Sequence, residues 1–262
     1  MRNCFVDSML VGVAVLAFSP VLFPQSVPPP PSGATQAKAP PRTPEGKPDL
    51  SGLWQREQNF GFRVVGEGPS MLPWAEERYK ANRKGSRTPQ ERATDELDPN
   101  RPPFCLPQGF PRVYDNPHPF EVAQFPGRVY MLFETDNQAR IIYTDGRKHP
   151  AGVPPTFMGH SVGRWEEDTL TVETVNLNDL TWLDGLGRPH SDALRVEERI
   201  RRVNYNTLEI EFTFDDSKTY TKPWKGKMVF PLRSNWEMME NVICEDTAGE
   251  AFREAVGGKK GP

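Results

Sequence analysis

The sequence predicts a mainly β protein, an antiparallel up-and-down β-barrel with a few short peripheral helices. After Gly109, apolar and polar residues alternate with period two in successive segments of strand length. Short turn signals separate these segments, among them Pro126-Gly127, Asp136-Asn137 and Asp215-Asp216. So many short strands favour a closed barrel over a flat sheet because closure removes exposed edges. A β-sandwich is the alternative.

Individual elements follow from the same patterns. A first strand is expected within Pro48–Trp54, a helix within Leu72–Gly85, a surface loop over Ser86–Pro103 and a closing helix over Glu245–Val256. The remaining strand-like segments are Pro119–Phe125, Gly127–Thr135, Ala139–Gly146, Gly159–Trp165, Asp168–Val175, Ala193–Val203, Thr207–Asp216, Lys218–Phe230 and Trp236–Ile243.

The N-terminal region indicates export. Residues 1–26 contain Arg2, an apolar run from Met9 to Phe23 and then small and polar residues, which is the pattern of a secretory signal peptide. A membrane anchor is the weaker alternative because prolines interrupt a segment already short for a bilayer. Residues 27–46 are rich in proline and read as a disordered tether, which leaves 47–262 as one barrel domain. We expect a periplasmic or secreted protein without a stable membrane span after signal removal.

Net charge and cysteine count restrict the partners and the covalent links that we expect. The chain has 262 residues and a net charge of −3, so no electrostatic footprint for nucleic acid is present. After signal removal two cysteines remain, Cys105 and Cys244, and an exported domain with an even pair favours a disulfide. The long closed loop would stabilise the fold by roughly 3–5 kcal/mol. Two buried thiols are the alternative.

Alternation also assigns side chains to faces. Over Thr207–Phe214 the interior set is Leu208, Ile210, Phe212 and Phe214. Over Ala193–Val203 it is Leu194, Val196, Glu198 and Ile200. A buried Glu198 must be paired, protonated or bound to a metal, because an isolated buried carboxylate is costly. A structural salt bridge, for example with Arg164, is one interpretation, and a catalytic carboxylate is the other.

His160 is expected to face the barrel interior. It shares its side of the strand with Met158, Val162 and Arg164, of which two are apolar. A core histidine bonded to a backbone carbonyl is the structural alternative to a catalytic one.

Three of the four histidines fall near strand ends and predict a metal site. His149, His160 and His190 could gather at one mouth of the barrel, where three imidazoles and a carboxylate suit Zn²⁺ or another divalent transition metal. No compact metal motif supports this. Without a metal, His160 or His190 could act as general base, oriented by Asp145, Asp184 or Glu198. His118, between two prolines, is read as a turn residue.

The segment Asn176–Asp192 is long for a hairpin and predicts a ligand-contacting loop. Trp182 and Tyr143 would supply apolar walls, with Asn178 and Arg164 as polar contacts to substrate. Simple capping of the barrel end is the alternative. Gly159–Gly163 matches the spacing of a nucleophile elbow, but no helix follows it. No nucleotide-cofactor fingerprint is present in the sequence.

The chain resembles a widespread family of exported bacterial proteins. The matching phrases are PDLSGLW, CLPQGFPR, PFEVAQFPGRVYMLFE, IIYTDGRKHP, FMGHSVGRWEEDTLTVETVNLND, TWLDGLGRPHSDAL and YTKPW. The resemblance spans roughly Pro48 to Cys244 and implies a lipocalin-like β-barrel that is periplasmic or secreted. It implies no particular activity. Glu166-Glu167-Asp168 departs from the Glu-Gly-Asp turn usual in the family.

These features predict an exported β-barrel enzyme with a histidine-rich, metal-dependent pocket. It would hydrolyse a small organic molecule or glycoside, or eliminate a group from it, with His160, Glu198 and Asp184 as catalytic residues. A non-catalytic lipocalin-like binder of an apolar ligand is the alternative and predicts an apolar cavity. An envelope-interaction protein with a filled barrel is a third possibility.

Overall fold

The structure, a computed structural model, describes residues 38–56, 61–84 and 106–241. Four predicted features lie outside the described residues: the signal peptide, the surface loop over Ser86–Pro103, the disulfide between Cys105 and Cys244, and the closing helix over Glu245–Val256. None of the helices among the described residues is long and apolar enough to cross a membrane.

The described chain is mainly β and forms one ten-stranded, barrel-like sheet with one α-helix. The sheet order is β1-β3-β4-β5-β6-β7-β8-β9-β10-β2. The elements are β1 (Gly52–Trp54), β2 (Arg63–Val65), α1 (Pro73–Lys84), a 3-10 turn (Arg112–Tyr114), β3 (Phe120–Phe125), β4 (Arg128–Phe133), β5 (Ala139–Tyr143), β6 (His160–Glu166), β7 (Thr169–Val175), β8 (Arg195–Asn204), β9 (Thr207–Asp215) and β10 (Trp224–Pro231).

The sheet curls until its first strand reaches the end of β10. Besides pairing with β3, β1 makes an isolated bridge between Trp54 and Leu232. The backbone N–H of Arg233 donates to the Leu53 carbonyl at 2.8 Å, and that of Gln55 donates to Pro231 at 3.2 Å. These bonds satisfy the outer edge of β1, which confirms the barrel-like architecture that edge satisfaction favours.

One neighbouring pair departs from the up-and-down pattern, since β5 and β6 run parallel. Their ladder is short, with Ile142 opposite Ser161 and Tyr143 opposite Val162. The connection, residues 144–159, contains three prolines and three glycines and is too long for a hairpin. A crossover of that length permits parallel pairing.

The barrel interior is filled by aromatic side chains around a buried ion pair. Tyr114 packs edge-on against Phe120, Phe133 and Phe212 at centroid distances between 5.2 and 5.8 Å. Its hydroxyl accepts a hydrogen bond of 2.8 Å from Arg140. Dense aromatic packing of this kind supplies a large share of the apolar burial that stabilises a barrel.

The face assignments made from alternation are confirmed on two strands and wrong on a third. On β8 and β9 the predicted interior residues are all buried. On β6 the interior residues are Ser161 and Gly163, whereas Arg164 is exposed, so the predicted register is shifted by one residue. The inward direction of Gly163 is shown by its neighbour. A Cβ added at this position would lie 3.0 Å from the side chain of Ile142, which is fully buried.

Other elements show where local pattern succeeds and fails. The predicted helix is present as α1 and the first strand as β1. Residues 236–240, predicted as a strand, have no regular secondary structure. The short strand β2 was not predicted. In the turn between β6 and β7, Glu167 has φ +52°, a conformation that glycine adopts more readily.

Part of the predicted tether is described and contacts the domain. The Lys38 carbonyl accepts a backbone hydrogen bond of 2.7 Å from Tyr205, and the Lys38 ammonium lies 4.1 Å from the centre of the Tyr205 ring. Arg42 forms a bidentate ion pair with Asp168 at the turn after β6. The region from residue 38 onward therefore packs on the sheet.

Candidate functional site

The loop between β7 and β8, residues 176–192, is internally braced. The Asp184 side chain is fully buried and pairs with the Arg188 guanidinium. It also accepts the backbone N–H of Leu186 at 3.1 Å, and the N–H of Leu183 donates to the Arg188 carbonyl at 2.7 Å. With its acceptor capacity used in this way, Asp184 shapes the loop, and its catalytic role stays a prediction.

Two carboxylates outside the loop fix its position. Asp115 accepts backbone N–H groups from Gly61 and Gly185, each at 2.7 Å. Asp216 accepts the backbone N–H and the hydroxyl of Ser191, both at 2.7 Å. Charge-assisted hydrogen bonds are among the stronger ones, so these two carboxylates anchor the loop at Gly185 and at Ser191.

A pocket of about 770 Å³ lies between this loop and α1. We call it the loop pocket. Its volume falls in the range usual for small-ligand sites. Trp74, Arg78 and Asn82 line it from α1, Trp182 and His190 line it from the loop, and Lys218 lines it from the segment after β9.

His190 is the buried histidine of the loop pocket, with 5 % of its surface exposed. Its Nδ1 lies 3.2 Å from the Ser191 carbonyl oxygen, so Nδ1 carries the proton and donates. Nε2 is then a lone-pair acceptor, and it is buried without a hydrogen-bond partner among the described residues. Such an orphaned atom indicates a place for water or a ligand.

The electrostatic surroundings keep His190 neutral near pH 7. Burial lowers its pKa below 6.5, and the Ser191 carbonyl with the charges of Asp216 and Asp179 offsets part of this effect. Asp216 also positions the ring indirectly, because it holds the backbone of Ser191, whose carbonyl fixes the His190 tautomer.

His149 and His160 form a second histidine site. Their Nδ1 atoms lie 2.8 Å apart, and the ring centroids are 5.0 Å apart. The nitrogens therefore lie close to the line between the rings, which is the geometry of an N–H···N hydrogen bond. Tyr143 stacks on His160 at 5.3 Å, and Arg147 covers the Tyr143 ring at 3.9 Å.

A carboxylate lies on the far side of this pair. His149 Nε2 is 3.1 Å from Glu173 Oε1, within ion-pair distance but without hydrogen-bond alignment. His160 lines a shallow depression of about 580 Å³ together with Asp145 and Arg147. Burial, and then the charges of His149 and Arg147, lower the pKa of His160 below 6.5.

The structure brings together two of the three predicted metal ligands. His149 and His160 are in contact, whereas His190 lines the loop pocket, which shares no lining residue with the depression beside His160. Across residues 38–56, 61–84 and 106–241, no group of three or more His, Cys, Asp or Glu side chains is placed to hold a metal. A divalent metal stays a prediction.

Glu198 lines neither the loop pocket nor the depression beside His160. It is fully buried and receives two hydrogen bonds from Arg140, one of them 2.9 Å long. The structural interpretation of Glu198 is thus correct, but the predicted partner, Arg164, was wrong. Because β6 faces the other way, Arg164 lies on the outer surface and pairs with Glu166 at 2.8 Å. It lines neither pocket.

The predicted substrate contacts fall into different places. Trp182 lines the loop pocket, with the Arg112 guanidinium 4.9 Å from its ring. Tyr143 belongs to the second histidine site. Asn178 accepts the backbone N–H of Leu180 at 3.3 Å and lines neither pocket. His118 pairs with Glu134 at 3.0 Å, away from both sites.

Comparison with known proteins adds no candidate function. No protein-family model, curated protein or solved structure matches this chain.

Sequence reasoning missed the contribution of α1. Trp74, Arg78 and Asn82 are spaced at i, i+4 and i+8, so they lie along one face of the helix. The sequence predicts that these three side chains share a face of the helix. It contains no signal near the helix that this face contacts the loop 176–192. Arg140 was also missed, although it alternates with Ile142 and therefore shares its inward face.

Proposed function

We propose that the protein acts on a small organic molecule bound in the loop pocket, with His190 as general base for hydrolysis or elimination. The observation that carries this proposal is the state of His190. Its Nδ1 donates to the Ser191 carbonyl and therefore carries the proton. Its buried Nε2 has no hydrogen-bond partner among the described residues, and the residue lines the pocket.

The chemistry fits a base at neutral pH. A general base must be unprotonated at the working pH and within hydrogen-bond reach of the proton it removes. The lowered pKa of His190 satisfies the first condition. The second is supported by Nε2 having no competing partner among the described residues. Removing a proton from water or from a substrate carbon would begin hydrolysis or elimination.

The surroundings of the pocket also support a polar reaction site. An apolar carrier calls for a cavity lined mainly by Phe, Leu and Met. Here the lining includes Arg78, Asp179, His190 and Lys218, and the described barrel interior is occupied by aromatic rings and the Arg140–Glu198 pair. Polar groups around a histidine can orient a polar substrate and take part in its reaction, whereas an apolar ligand gains nothing from them.

A non-catalytic binder is the second candidate, and the rim of the pocket favours it. Trp74 is 46 % exposed and Leu180 is 53 % exposed, so two large apolar side chains flank the entrance. Exposed apolar groups around a pocket mark ligand-binding surfaces. In this version the pocket holds a molecule without converting it, and export to the periplasm or outside the cell remains part of both proposals.

A panel of 4-nitrophenyl esters and 4-nitrophenyl glycosides tests the enzyme proposal by release of nitrophenolate. We expect turnover by the purified protein, and a loss of at least a hundredfold in His190→Gln. His118→Gln is the control, since His118 lies outside both pockets. Turnover that His190→Gln leaves unchanged contradicts the role of His190. Ligand binding without turnover across the panel supports the binder instead.

A further inference from the structure

Two residues that line the loop pocket each carry a buried acceptor with no hydrogen-bond partner in the part of the chain that the structure describes. His190 Nε2 is one, and Asn82 Oδ1 is the other. Asn82 is 1 % exposed and His190 is 5 % exposed, so neither atom is solvated from outside the pocket. Both residues line the same cavity. Buried polar atoms are nearly always hydrogen-bonded, so two such acceptors on residues that line one cavity indicate that its contents supply hydrogen-bond donors.

The orientation of the Asn82 amide follows from its neighbour. Its Nδ2 donates to the Gly187 carbonyl at 2.8 Å. Reversing the amide would place two oxygen acceptors against each other, so Oδ1 is the atom left for the pocket. Gly187 and Asn82 are packed closely, as shown by the position of a Cβ added to Gly187, which would lie 2.8 Å from the Asn82 Cβ. The helix and the loop therefore hold this amide in place.

Two acceptors require donors from whatever occupies the pocket. Water, hydroxyl and amine groups carry N–H or O–H donors. Fully ionised carboxylate and phosphate groups have no donor and can only accept hydrogen bonds. An anionic group placed against His190 Nε2 and Asn82 Oδ1 would leave both unsatisfied and repel them. Leaving a buried acceptor unpaired costs about 1–3 kcal/mol. A ligand that displaces water here must supply the donors again.

The charges of the lining do not select an ion. Lys218 pairs with Asp192 at 2.7 Å, and the remaining charged side chains are one cation and one anion, Arg78 and Asp179. Tryptophan supplies the apolar surface on two sides, Trp74 from the helix and Trp182 from the loop. The Trp74 ring is held by a hydrogen bond of 2.8 Å from Nε1 to the Lys218 carbonyl.

From these contacts we propose that the ligand is a neutral molecule with neighbouring hydroxyl groups, of the sugar or glycoside class, bound with hydroxyl donors on His190 Nε2 and Asn82 Oδ1. Its apolar C–H face would lie against tryptophan. This inference rests on the proposed function, since it names the ligand of the same pocket. An acceptor-only anion, such as an aromatic carboxylate, is the class that it excludes.

Three probes separate the classes by isothermal titration calorimetry with the full chain. Phenyl β-glucopyranoside carries the hydroxyl donors. Its tetra-O-methyl ether keeps the ring and the oxygens but has no donor, and benzoate carries only an anionic acceptor. Phenyl galactoside, mannoside and xyloside extend the first probe to other hydroxyl arrangements. We expect at least one glycoside to bind ten times or more tighter than its methyl ether and than benzoate.

Two variants locate the donors. Asn82→Leu and His190→Phe each remove one acceptor, and each should reduce the preference for the glycoside over its ether by at least threefold. A merely structural effect would weaken both probes equally and leave their ratio unchanged. Asn206→Ala is the control, because Asn206 is exposed in the turn between β8 and β9. Its ratio should equal that of the unaltered protein.

The outcomes distinguish this inference from the proposed function. If benzoate or the methyl ether binds the pocket as tightly as every glycoside, the ligand class is wrong while the pocket remains a ligand site. An unchanged ratio in both Asn82→Leu and His190→Phe also overturns the assignment. If none of the probes binds, the sugar class is wrong, and the nitrophenyl ester panel decides the proposed function separately.

Discussion

Arg140 and Glu198 form a bidentate ion pair at the centre of the barrel. Both side chains are at most 1 % exposed, and Arg140 also donates to Ser161 (3.1 Å) and Thr174 (2.9 Å). Burial acts to lower the pKa of Arg140, but Glu198 and then Tyr114 outweigh it, so the pKa is raised. Arg140 therefore keeps its positive charge inside an aromatic core.

Removing one partner of this pair should be strongly destabilising. Glu198→Gln leaves the Arg140 charge buried without its carboxylate, at an expected cost of about 3–5 kcal/mol in the free energy of unfolding. Urea denaturation measures this. Asp168→Asn, which breaks an exposed pair with Arg42, should change the midpoint little. Equal effects of the two substitutions would contradict the account of the core.

The fold should lose stability as the pH falls through the histidine range. The pKa values of His160 and His190 are lowered below 6.5 in the folded state. Well above pH 6.5 both are neutral in the folded and unfolded chain. Below it the unfolded chain binds protons first, so the free energy of unfolding decreases. His160→Gln should flatten this decrease between pH 7.5 and 5, as measured by urea midpoints. An unchanged slope would show that His160 does not contribute.

Asp115 should control the order of the loop pocket. Asp115→Asn keeps the size of the side chain but removes the charge that Gly61, Gly185 and Arg56 contact. We expect a loss of about 2–4 kcal/mol and faster proteolytic cleavage within residues 176–192. Limited proteolysis followed by mass spectrometry locates the cuts. Cleavage confined to other loops would mean that Asp115 does not hold this segment.

Gly159 should be essential for placing His160. It has φ +63°, and a Cβ there would lie 2.6 Å from the Val175 carbonyl oxygen. Gly146 also has a positive φ, of +81°, but nothing lies within 4 Å of its Cβ position. Gly146→Ala therefore bears only the backbone cost, about 1–2 kcal/mol, and Gly159→Ala should lose clearly more. Similar losses in thermal denaturation would exclude the clash.

The fold was predictable because alternation over long strands is a strong signal. On β8 and β9 every residue that it placed in the interior is buried, including Glu198, although Arg202 is buried on β8 as well and was not predicted. On β6 the alternation failed. His160 and Arg164 were assigned to the inner face because they share a side of the strand with the apolar residues Met158 and Val162. The inner face of β6 is formed by small residues, Ser161 and Gly163, which leave room for Ile142 and for Arg140.

The site was less predictable because it depends on contacts distant in sequence. The loop 176–192 and the importance of His190 and Trp182 could be read from its length and composition. Their partner, the Asn82 face of α1, lies about a hundred residues earlier, and the Asn82–Gly187 contact spans 105 positions. The grouping of all three histidines failed because proximity of strand ends does not specify which pocket each side chain enters.

The protonation state of His190 tests the central claim most directly. Long-range ¹H–¹⁵N NMR correlations of the imidazole distinguish the two tautomers and follow protonation with pH. A neutral ring at pH 6.5, with the proton on Nδ1 and an Nε2 resonance that shifts when phenyl β-glucopyranoside or another bound probe is added, is the expected result. A ring protonated at pH 6.5, or a neutral ring with its proton on Nε2, would contradict the account.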